Sequence, residues 1–84
     1  MLNQVSTEVK VKVYQEVEVF QKSMIEFLHG RGNAPTRNLN EITKIYVDIS
    51  FKEMLRSGCP ASTARRVSKN TIKELIEDMT NPED

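Results

Sequence analysis

The chain has 84 residues, twelve basic against twelve acidic side chains, a formal net charge of zero and a single cysteine. That length supports one domain, residues 1–84, which buries only about 60–65% of its unfolded surface, so its own core is thin. Zero net charge argues against a general polyanion binder, Cys59 alone cannot form an internal disulfide, and no apolar run approaches the ~18 residues of a membrane span.

The first eight residues show no basic region leading into an apolar block, so no secretory leader is expected. With the lone cysteine, this points to a reducing, cytoplasmic setting. A first helix is expected over about residues 7–29. Val9, Val13, Val17, Phe20, Met24, Phe27 and Leu28 recur every three or four positions and form one stripe. Gly30 supplies its stop, with His29 in the last turn. The alternating valines at 9, 11 and 13 also suit a strand. A hairpin would then need a turn near Tyr14-Gln15-Glu16, where no Gly, Asn or Pro occurs, so helix is preferred. Residues 31–37, with Gly32, Asn33 and Pro35, form a loop.

A second helix is expected over 39–56. Asn38 is placed to cap it, and Glu41 three residues later fits a capping box. Leu39, Ile42, Ile45, Tyr46 and Ile49 make one apolar face; Val47, Phe51, Met54 and Leu55 make another, almost opposite. A helix apolar on two sides is normally covered on two sides. The alternation Ile45, Val47, Ile49, Phe51 suits a short strand equally well, and residues 45–51 stay open between the two at this point. Ser57-Gly58-Cys59 breaks the pattern, and Pro60 fits the first position of a third helix over 60–79. Ala61, Ala64, Val67, Thr71, Ile72, Leu75, Ile76 and Met79 form its inward face. Asn81-Pro82 ends it, and the residues beyond are expected to fray. The expected fold is all-α: three helices, forming a dimer built on the first two.

Charge is segregated along the chain. Residues 31–73 carry nine bases and three acids, a net of +6, while residues 74–84 carry five acids and no base. The third helix thus has bases early and acids late, the reverse of what its dipole favours. Arg66, Lys69 and Lys73 share one outward line, with Arg65, Ser62 and Asn70 beside it. Fixed cations with short hydrogen-bonding side chains on one helical face suit phosphates and base edges. The stretch Val67-Ser68-Lys69-Asn70-Thr71-Ile72-Lys73-Glu74-Leu75 resembles the recognition half of a helix-turn-helix. It departs from that pattern upstream, where the glycine-containing turn is missing and Ala61 to Met79 reads as one helix.

Other features carry less. Cys59 sits at a helix start without a base near it in sequence, so it is expected to fill a tight turn and tolerate serine. His29 suits a helix C-terminus, and no zinc-ligand spacing, phosphate loop or nucleophile elbow is present. No cofactor, no metal and no enzymatic activity are expected. The leading expectation is a small regulator of the transcription-modulator type, binding nucleic acid through Ser62, Arg65, Arg66, Lys69, Asn70 and Lys73. The alternative, from another class, is a protein-interaction module, an inhibitor or adaptor. Its dimer or partner interface would use Tyr14, Ile25, Val47, Phe51, Met54 and Leu55.

Overall fold

The computed structural model describes residues 2–81, which form three helices: α1 (Thr7–Leu28), α2 (Leu39–Arg56) and α3 (Ala61–Thr80). Residues 45–51 are helical, and there is no strand among the described residues. Residues 82–84, expected to fray, lie outside them.

Each helix is bounded by local chemistry. Ser6 caps α1, its hydroxyl accepting from the Val9 N–H at 3.2 Å. Asn38 and Glu41 form the full capping box at α2: Glu41 N–H donates to Asn38 Oδ1 at 2.9 Å and Asn38 N–H to Glu41 Oε1 at 3.0 Å. α1 and α2 end in the same way, in a Schellman motif. The Arg31 N–H reaches the Glu26 carbonyl at 2.8 Å and the Gly30 N–H that of Phe27 at 3.0 Å. At α2, Cys59 donates to Met54 and Gly58 to Leu55, both at 3.0 Å. Gly58, at φ +99°, makes the reversal, as Gly30 does at φ +75°. Pro60 stands one position earlier than expected, as the N-cap of α3.

The helices run up, down, up. Tyr46 and Arg37 meet Glu16 of α1, while Leu2, ahead of α1, bonds Ser57 at the far end of α2. Gln21 of α1 donates to the Met79 carbonyl at 3.3 Å near the end of α3, so α1 and α3 are parallel. Leu39 and Thr43 at the start of α2 share a groove with Ile76 and Thr80 at the end of α3, so these two helices pair antiparallel along their length. The pair is an α-hairpin rather than the crossed pair of a helix-turn-helix.

The core consists of Val5, Val9, Val13, Val17, Ile42, Tyr46, Met54, Cys59, Ala64, Ile72 and Ile76. Two serines, Ser50 and Ser68, are also fully buried. The buried line of α2 is Ile42, Tyr46, Ser50, Met54, and that of α3 is Ala64, Ser68, Ile72, Ile76. Steps of four residues advance about 400° around a helix, so each line drifts by about 40° per step. Ile42 and Met54, expected on opposite faces, therefore belong to one tilted stripe. α2 has a single broad buried face, and Ile49 and Leu55 stay exposed on its margins. The stripe of α1 holds through Val17, with Phe20 and Met24 half-buried, but Phe27 and Leu28 are exposed. The last turn of α1 runs past what α2 and α3 can cover.

A polar latch ties the first loop to this frame. The Tyr46 hydroxyl donates to Glu16 Oε2 at 3.4 Å, and Arg37 lies 3.8 Å from the same carboxylate. Burial, and next the Glu16 charge, hold the Tyr46 phenol above its ordinary pKa.

Candidate nucleic-acid interface

The six residues expected at a nucleic-acid surface, Ser62, Arg65, Arg66, Lys69, Asn70 and Lys73, are all exposed on α3. They point out because Ala64, Ser68, Ile72 and Ile76 point in and α3 is one continuous helix. The fold nevertheless divides the stripe. Arg65, Lys69 and Lys73, one turn apart, lie along the seam with α2. Asn70 falls on the far flank, beside Lys73, Glu74 and Glu77. Two carboxylates against one lysine leave a net negative charge beside the amide, which weakens the case for Asn70 as a base reader.

Between α2 and α3 the seam opens into a shallow groove. Thr43, Val47 and Phe51 form its α2 side, and Lys44, Arg65 and Lys69 bring cations to it. It continues past Lys73 to Ile76, Glu77 and Thr80. The Arg65 guanidinium carbon sits 4.5 Å from the centroid of the Phe51 ring, a cation–π contact that places Arg65 over the groove and shields the ring.

Among the described residues two ion pairs form within 4 Å, Arg37–Glu16 at 3.8 Å and Lys52–Asp48 at 3.1 Å. Neither uses Lys44, Arg65, Arg66, Lys69 or Lys73. Asp48, a carboxylate in the groove lining, pairs with Lys52. Among the described residues the groove's cations make no ion pair within 4 Å, although Asp48 and Glu77 also line it. Lys44 was not singled out from the sequence. It stands between Thr43 and Ile45 with no other base near it in sequence, and only the side on which α3 packs shows that it joins the α3 bases.

The residues expected at a protein interface separate as well. Tyr14 and Ile25 are exposed on α1, at 46% and 55%, and Leu55 is at 39% on α2. Val47 and Phe51 lie in the cationic groove. Met54 is wholly buried at 0%, so its side chain reaches no surface; it carries the tilted stripe of α2 into the core. Cys59, in the turn that ends α2, is also a core residue at 4% exposure. No group of three or more His, Cys, Asp or Glu side chains is placed to hold a metal ion among the described residues. None of their helices is long and apolar enough to cross a membrane. Comparison with protein-family models, with curated proteins and with solved structures finds no match to this chain.

Proposed function

We propose that this chain is a small regulatory protein that binds nucleic acid through the α2–α3 groove. One observation carries the reading: Lys44, Arg65, Lys69 and Lys73 line one exposed groove, outnumber its carboxylates Asp48 and Glu77, and form no ion pair within 4 Å among the described residues. Phosphates would be neutralised by these four side chains and by Arg66 on the outer flank. Ser62, exposed in the first turn of α3, is a short polar group able to meet a base edge or a phosphate oxygen. The tested quantity is the salt dependence of binding to a short duplex, with purified components, by fluorescence anisotropy. Each phosphate contact on duplex DNA contributes about −0.9 to the slope of log affinity against log salt. The Lys69→Ala/Lys73→Ala double variant should flatten that slope by about 2 and keep its helix content.

A second reading has its own support. The groove floor is apolar at Val47 and Phe51, and the net charge is zero. Both suit a protein-interaction module that meets an acidic, amphipathic partner. No binding to nucleic acid at low salt, or a slope unmoved by the double variant, favours this module.

A further inference from the structure

We infer that a second copy of this chain docks on α1, antiparallel to it, along the line Val11, Tyr14, Glu18, Gln21, Ile25, Leu28. The inference does not depend on the nucleic-acid reading, because no α1 residue lines the groove. Core packing leaves most of this side of α1 uncovered: Val11 is 45% exposed, Tyr14 46%, Ile25 55% and Leu28 73%, while Gln21 is half-buried at the edge of α3. The six positions step by three and four in alternation, the seven-residue repeat of a helix that pairs with another helix.

The occupant follows from the order of residues on the line. A two-fold axis across α1 between residues 19 and 20 sets Val11 against Leu28 of the second copy, Tyr14 against its Ile25 and Glu18 against its Gln21. Every pair is chemically matched. Both ends join apolar to apolar, and the centre joins a carboxylate acceptor to an amide donor. Gln21 uses one amide N–H on the Met79 carbonyl at 3.3 Å, which leaves the second for Glu18 of the other copy. Lys22, exposed beside the line, reaches that same carboxylate. A parallel arrangement would instead oppose Glu18 to Glu18 within the seam, where like charges repel. An unrelated partner requires no such internal symmetry, whereas a copy of the same helix does.

Sedimentation equilibrium of the full chain at about 100 µM tests the pairing, with the principal outcome a mass twice 9.6 kDa. Tyr14→Lys and Ile25→Glu each place an unpaired charge in the seam and should weaken dimerisation on the order of 100-fold. Both sites are exposed in the single chain, so far-UV circular dichroism should show unchanged helix. Mixing the two variants should restore a dimer, as a one-to-one heterodimer in which the introduced lysine of one chain faces the introduced glutamate of the other. In a parallel dimer those two charges never meet. A wild-type chain that is monomeric, single variants that remain dimeric, or a mixture that stays monomeric would each overturn the inference. Duplex binding measured on the same variants reports separately on the groove.

Discussion

Three small side chains show how burial changes the meaning of a residue. Cys59 follows Gly58 in the Schellman turn, and both it and Met54, whose carbonyl it bonds at 3.0 Å, belong to the core. A thiol there behaves as a small apolar group. Serine at 59, which the turn alone would accept, brings a hydroxyl into that core, at a cost of about 1–3 kcal/mol if it finds no partner. Ser50 and Ser68 present the reverse case. Both are fully buried with hydroxyls that find no hydrogen-bond partner among the described residues. Their size lets α2 and α3, the most extensively packed pair, approach closely. Removing an unpaired buried hydroxyl at nearly constant volume is neutral or stabilising. Urea denaturation should thus show Cys59→Ser destabilised by about 1–3 kcal/mol and Ser68→Ala unchanged or up to about 1 kcal/mol more stable. The opposite ranking would mean that the serine hydroxyls find partners in solution.

The ends of the helices were the most legible elements. Asn38 with Glu41, Gly30 and Gly58 act through contacts only a few residues away, so their roles follow from spacing. Gly58 has φ +99° and open space where a Cβ would stand, so any cost of Gly58→Ala is backbone strain rather than a clash. That substitution should lower stability by about 1–2 kcal/mol, or about 4–16 °C in melting temperature for a chain of this size. An unchanged melting temperature would show that the turn relaxes to another conformation. α3 is the exception to local consistency. It has no side-chain cap, no acid in its first turn and no base in its last. Its position comes from packing on α2, and its exposed face is left to the cations that make the groove.

The described chain is elongated, 47 × 29 × 18 Å, with a thin core shared by three helices. A single copy leaves Val11, Tyr14, Val19, Ile25, Phe27 and Leu28 of α1 exposed. The cationic groove and the α1 seam have no residue in common, so a dimer through α1 leaves two grooves open for anionic partners. Dimerisation that accompanies folding makes stability depend on concentration. A hundredfold rise in protein concentration should therefore raise the melting temperature by about 5–10 °C. The Ile25→Glu variant should melt at one temperature throughout. A wild-type midpoint that ignores concentration would count against the α1 pairing.

The sequence by itself determined three helical segments, their ends to within about a residue, and that the α3 cations face outward, but it left residues 45–51 open between helix and strand. Caps, glycine turns and apolar spacing act over one or two helical turns, and the chain order encodes them directly. Packing decided the rest. The lateral drift of the buried lines joined two apparent faces of α2 into one and drew Met54 inward. Close approach of α2 and α3 placed Ser50 and Ser68 in the core, although their polarity marks them for the surface. The side of α3 that met α2 divided the basic stripe, bringing Lys44 to Arg65, Lys69 and Lys73 and leaving Asn70 on the far flank beside Lys73 and two acids. Each of these depends on which helix lies beside which, a choice made by contacts between residues distant in sequence, and no local spacing specifies it.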